Sequence, residues 1–173
     1  MSGYAALSME RVAERARASK ASLYRRWPSK VELALAAVYG LLPDPAAAAD
    51  TGSLRGDLLA LFRSAAGPLA GPAGTAIRGL ISEALRDPEL AAQLRRYTRG
   101  RSVAAMRDIV RQAMERGELP PAMITARQLE AGLSVMRFHF LVYGGPVPDQ
   151  VIVEIVDEVV LPLLHAAAGG DAH

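Results

Sequence analysis

Apolar residues recur along this chain three and four positions apart, the spacing of one helix face. Ser8 reads as the N-cap of a helix over 9–16, with Val12, Ala13 and Ala16 as a small apolar face. Arg17 and Ala18 form a turn, and Ser19 caps a second helix over 20–27. Leu23 and Trp27, four apart, take its inner side, while Ala21, Ser22, Arg25 and Arg26 take the outer. Pro28 ends it, because proline disfavours a helical conformation at Trp27. Ser29, with Glu32 three residues on, makes a capping box for a third helix over 30–42.

A Pro-Ala-Asp-Gly stretch at 43–52 reads as a loop. The helix predicted next, over 54–66, gathers Leu58, Leu61, Phe62 and Ala65, and the run at 67–72 breaks it. A helix over 75–86 turns Ile77, Leu80, Ile81 and Leu85 inward. Asp87 caps, and Pro88 opens, a long helix to 116, since proline is favoured at the first helical position. Residues 117–121 end it, and Thr125 with Gln128 boxes the start of a helix to 143.

In the last helix, over 149–167, Ile152, Ile155, Val156, Val159, Val160 and Leu163 repeat at helical spacing beside one polar stripe of Glu154, Asp157 and Glu158. A helix this apolar must be covered on two sides. Its β-branched residues also suit a strand, but the period and the absence of partner strands decide for helix. Leu129, Leu133, Met136 and Phe140 supply a second seam on the preceding helix. Pro162 should kink or terminate the regular part. The fold class is all-α: a helix-turn-helix head at 1–43 and a helical body at 44–173.

Composition narrows the setting. The 173 residues are 51% apolar, yet Gly and Pro interrupt every long apolar run short of the ~20 residues a membrane span needs. No basic-apolar-cleavage pattern marks export, and with no cysteine disulfide and thiolate chemistry are excluded. A cytoplasmic protein is the expectation. The net charge of +2 conceals a division. Residues 1–43 carry seven basic side chains against three acidic ones, which leaves −2 for the rest. Both lysines of the chain, Lys20 and Lys30, lie in this head. A basic head on a mildly acidic body suits a protein that meets phosphate at one end. Lys30, in the first turn of its helix, is placed to reach a phosphate alongside the N-terminal amides.

The stretch Ala18-Ser19-Lys20-Ala21-Ser22-Leu23-Tyr24-Arg25-Arg26-Trp27-Pro28-Ser29-Lys30-Val31-Glu32-Leu33 resembles the signature of the tetracycline-repressor (TetR) family of one-component bacterial regulators. Upstream, Gly3-Tyr4 and Ser8-Met9 with Val12-Ala13 match it too. The resemblance covers the first quarter of the chain. It implies that Ser8, Tyr24 and Lys30 contact DNA phosphates, and that Arg17, Lys20 and Ser22 face or flank the major groove. Leu23 and Trp27 would be core, Ser19 chiefly a cap, and Arg25 a phosphate or solvent contact.

Two departures stand out. Arg17 occupies a turn position where many members have glycine; a left-handed conformation there costs ~1 kcal/mol. The family's first helix normally precedes the Gly-Tyr turn, so the head is expected to be incomplete, with a further amphipathic helix upstream and one core wall missing.

The resemblance further implies a homodimer that binds a palindromic operator in double-stranded DNA, and a repressor released by a small-molecule ligand. In this family the last two helices of each subunit form an intersubunit four-helix bundle. Leu133, Phe140, Ile152, Val156, Val159, Val160 and Leu163 are the expected interface. Phe62, Ile81, Met106, Arg137, His139 and Tyr143, with Phe138, are candidate ligand-lining residues. Arg137 and His139 have two readings: an ion pair and a satisfied interface residue, or groups that orient a ligand. An enzyme is disfavoured. The three histidines and the carboxylates lack metal-site spacing, and neither a phosphate loop after a strand nor a nucleophile elbow occurs; no catalytic residue, metal or cofactor is expected. The alternative is a helical dimeric ligand- or protein-binding module that does not bind DNA.

Overall fold

The computed structural model describes residues 7–40, 50–98 and 101–169, and these contain helices and no strand. The helices are α1 (Met9–Arg15), α2 (Lys20–Arg26), α3 (Lys30–Tyr39), α4 (Leu54–Ala66), α5 (Pro72–Ala84), α6 (Pro88–Thr98), α7 (Arg101–Glu115), α8 (Ala126–Tyr143), α9 (Asp149–Glu154) and α10 (Leu161–Gly169). A 3-10 turn, Gly67–Ala70, follows α4, and a π-helical segment, Ile155–Val160, joins α9 to α10. The predicted features at Gly3-Tyr4 and 41–49 lie outside the described residues.

Two compact units result. The first gathers α1–α3 with α5 and α6; the second holds α4 and α7–α10. The units therefore do not follow a single cut at residue 43. Of the long helix expected over 88–116, the described residues form α6, in the first unit, and α7, in the second; residues 99 and 100 lie outside the described residues.

In the first unit, Met9, Ala13, Leu23 and Leu33 form a small core, with Val12 and Trp27 packed against it half-buried. Leu33 thus ties α3 to the first two helices. A second cluster joins Val31, Ala34, Leu35 and Val38 of α3 to Leu80 of α5 and Leu90 of α6, with Leu7, Ile77, Ala84 and Leu94 at its edge. Leu85, expected inward, is 84% exposed; it is the C-cap of α5, at the end of the helix, where none of the described residues covers it.

In the second unit, α4 packs on α7, α9 and the π segment, and α8 packs on α7 and the π segment. Two forked ion pairs fasten α4 to the last helix. Arg55 Nε and Nη2 donate to the two oxygens of Asp157 (2.7 and 2.8 Å), and Arg63 does the same to Asp149 (2.6 and 2.8 Å). The buried Asp57 accepts from the N–H and hydroxyl of Thr51 (both 2.7 Å) and from Arg116 Nη2 (2.8 Å). Glu118 completes the network, accepting from the Leu54 N–H and from Arg116 Nε, each at 2.7 Å.

Pro162 does not terminate the last helix, which continues to Gly169. Proline lacks an N–H, and its ring collides with the carbonyl four residues back in a regular α-helix. The π segment that ends at Val160 widens the turn just before the ring, and bulges of this kind sit inside otherwise regular helices.

Candidate nucleic-acid interface

The head is built from short helices whose ends the sequence specifies. Ser8, Ser19 and Ser29 sit at the N-caps of α1, α2 and α3, and their hydroxyls accept from the N–H groups of Arg11, Ser22 and Glu32 (3.4, 3.1 and 3.1 Å). Each cap satisfies an amide that the helix leaves unpaired. Between α1 and α2 the chain turns through Arg17, which has φ 51°, the one non-glycine residue at positive φ among those described. The Ala18 N–H donates to the Ala13 carbonyl (3.0 Å) and the Arg17 N–H to the Glu14 carbonyl (3.1 Å). The turn is therefore left-handed at Arg17, without glycine.

Leu23 anchors α2 in the core, and helical spacing sends Ala21 and Arg25 to the opposite side, flanked by Ser22 and Tyr24. Arg17, Ser19, Lys20, Ser22, Tyr24 and Arg25 are exposed, and Ser8 and Lys30 are half-buried. Tyr24 is 44% exposed, an aromatic ring left on the surface beside basic groups. Trp27, read as core, is half-buried beneath the Arg26 guanidinium, which lies 4.9 Å from its ring centre, within cation–π range. Ser19 hydrogen-bonds locally, its hydroxyl also donating to Ser22 Oγ (3.1 Å). One residue of this surface was not foreseen. Glu10 accepts from the Ser8 hydroxyl at 2.9 Å and lies 3.5 Å from Lys20 Nζ.

Of the expected ligand-lining residues, Ile81 belongs to the first unit and the other six to the second. Phe62 and Met106 are wholly buried, and Phe62 packs on Gly132. Arg137 is exposed. His139 and Tyr143 are together, ring centres 4.8 Å apart; Tyr143 is 72% exposed, and the buried His139 Nδ1 has no hydrogen-bond partner.

The expected interface residues divide by burial. Leu133, Phe140, Ile152, Val156 and Val160 are buried in the chain's own core, while Val159 and Leu163 stay half-buried. A side chain already covered by its own subunit has little surface left to give a partner. α8 instead carries a second apolar face: Val135, Phe138 and Val142 are exposed, at i, i+3 and i+7, opposite Leu129, Met136 and Phe140. That spacing was legible in the sequence, but the buried seam on the same helix drew the reading first. Among the described residues no group of His, Cys, Asp and Glu is arranged to hold a metal ion, and no helix is long and apolar enough to cross a membrane.

Comparison with known proteins agrees with this architecture. Residues 2–37 match the family model of bacterial regulatory proteins, tetR family, and residues 48–159 match that of the tetracyclin repressor-like C-terminal domain. An HTH-type transcriptional regulator of Mycobacterium tuberculosis is 35% identical over 167 residues, covering 96% of this chain and 82% of that protein. A DNA-binding transcriptional repressor, TetR, of Mycobacteroides abscessus is 33% identical over 173 residues, covering 96% and 87%. The crystal structure of a TetR family transcription regulator, SCO0332, superposes with a TM-score of 0.74 at 30% identity, covering 91% of this chain and 87% of that one. With both family models matched and a helix-turn-helix capped, turned and packed as described, this chain belongs to the TetR family of helix-turn-helix transcriptional regulators.

Proposed function

We propose that this regulator represses transcription by binding a palindromic operator as a homodimer, and that a small molecule releases it. The observation that carries the reading is the outer surface of α2. Small and hydroxyl side chains, Ala21 and Ser22, stand beside exposed Arg25 and Tyr24, so the backbone has room to approach base edges while basic and phenolic groups meet phosphates. In this reading Ser8, Tyr24 and Lys30 hold the backbone, Arg17, Lys20 and Ser22 face or flank the groove, and Arg25 adds a phosphate contact.

The second copy covers the exposed stripe of α8, Val135, Phe138 and Val142, together with the half-buried Val159 and Leu163. Two-fold symmetry then requires a two-fold related pair of half-sites. The ligand reading rests on His139, whose buried Nδ1 lacks a partner; a buried polar atom without one is unfavourable and is relieved by a ligand that hydrogen-bonds it.

Selection from a random duplex library, followed by footprinting, tests the operator. Recovery of an inverted repeat protected symmetrically is the expected result; enrichment of no sequence would overturn it. Replacing Tyr24 with Phe or Lys30 with Ala should weaken binding to all duplexes alike and reduce its salt dependence.

A further inference from the structure

Glu10 lies between two groups assigned to DNA. Its Oε2 accepts from the hydroxyl of Ser8, the residue that opens α1, at 2.9 Å. Its Oε1 lies 3.5 Å from the ammonium of Lys20, the residue that opens α2. One carboxylate thus presents two anionic oxygens to a hydroxyl and an ammonium on successive helices. A phosphodiester would present its two non-bridging oxygens in the same way. The groups are exposed, with about half or more of the Lys20 and Glu10 side chains open to solvent, so a duplex can reach them. The Glu10 carboxyl is held below its usual range, first by its own backbone N–H, then by Ser8 and Lys20, and it is therefore an anion wherever the protein meets DNA.

We propose that Glu10 is an internal stand-in for a DNA phosphate, occupying Ser8 and Lys20 in the free protein so that a duplex must displace it. The inference rests on the DNA-binding reading of this surface and adds a brake to it. Binding to any duplex requires exchanging a carboxylate for a phosphate, which lowers sequence-independent affinity. A site that also supplies base contacts to α2 meets the same exchange, so Glu10 lowers specific and non-specific affinity by the same factor and leaves their ratio unchanged. A site with base contacts starts from the higher affinity and stays occupied where a random duplex no longer is. An exposed ion pair is weak, so the brake is small: about two- to fivefold in affinity.

The test uses the whole chain and a 30-base-pair duplex of mixed sequence, at salt low enough for every variant to bind measurably. Glu10→Gln keeps the shape of the side chain and removes its charge; Glu10→Ala is the second variant, and circular dichroism checks that each remains helical. The expected result is about two- to fivefold tighter binding for both. The gain should shrink when Lys20→Gln is already present, because one of the two groups whose release it reports is gone. An equal gain in both backgrounds would mean plain repulsion between Glu10 and DNA, and would overturn the proposal. Unchanged or weaker binding by Glu10→Gln would overturn it too, since Glu10 would then serve to position Lys20. If the unaltered chain binds no duplex at low salt, the DNA-binding reading falls as well; if it binds and only the Glu10 variants fail to gain, the brake alone falls.

Discussion

Arg17 and Gly117 occupy the same position in two copies of one turn. Each follows a helix at positive φ, 51° and 79°. In each the next N–H reaches back to the fifth carbonyl before it: Ala18 to Ala13 at 3.0 Å and Glu118 to Ala113 at 2.9 Å. Glycine adopts this conformation without strain, and an arginine does not. Arg17→Gly should therefore stabilise the first unit by about 1 kcal/mol, read as a higher melting temperature. It should also weaken duplex binding, since it removes an exposed cation from the helix-turn-helix surface. Unchanged DNA affinity with raised stability would remove Arg17 from the interface.

Gly132 is set by a close approach of a different kind. A β-carbon there would collide with Val160 Cγ2 and lie 2.8 Å from Phe62 Cζ. Gly132→Ala should destabilise the second unit by about 1–3 kcal/mol through overpacking, measured as a lower urea midpoint. Adding Val160→Ala makes room on the facing helix, so the double variant should lose less than the sum of the two.

Asp57 brings a charge into the second unit with all its partners in place. Replacing it by Ala leaves the Thr51 N–H, the Thr51 hydroxyl and an Arg116 nitrogen without their acceptor, a loss of about 2–3 kcal/mol. Asp57→Asn keeps one acceptor and should lose less. Chemical denaturation at neutral pH ranks the three proteins.

Acid should act through the same groups. Burial pushes the Asp57 carboxyl up, but the Thr51 hydrogen bonds and Arg116 outweigh it and hold it below its usual range. Glu118 is lowered by the Leu54 N–H and Arg116, Asp149 by Arg63 and Asp157 by Arg55. A carboxyl depressed in the folded state contributes stability that is present above its unfolded value, about 4. That contribution is lost as pH falls through the depressed folded value. Urea midpoints should hold from neutral pH to about 5 and fall steadily below 4. In Asp57→Asn the fall should be shallower.

The surface of α8 separates the proposed contact from the core. Phe138 is 59% exposed and Val156 is wholly buried. Phe138→Lys should leave the helical content intact and shift sedimentation from dimer to monomer, because it places a charge in the proposed contact. Val156→Lys should unfold the second unit outright, since its ammonium has no partner inside the core. A folded dimeric Phe138→Lys protein would move the contact to another face.

What the sequence determined by itself was local. Serines at helix starts, Pro28 after Trp27, the Thr125–Gln128 box (both of its bonds form) and apolar spacing at three and four residues act within one or two turns. The helices, the head and the family signature could therefore be read directly. The turn at Arg17 was legible for the same reason, as a position that glycine usually fills; its left-handed conformation is what the structure adds.

Tertiary structure decided what depends on which face meets which. α8 and the last helix each offer apolar residues around much of their circumference, and periodicity does not say which side its own subunit covers. Packing against α4 and α7 buried Leu133, Phe140 and Val156 and left Val135, Phe138 and Val142 outside. The assignment of α5 and α6 to the first unit and the bridging of Ser8 and Lys20 by Glu10 are likewise contacts between separate segments. Such contacts leave no period in a linear chain, because the distance that matters to them is measured through space.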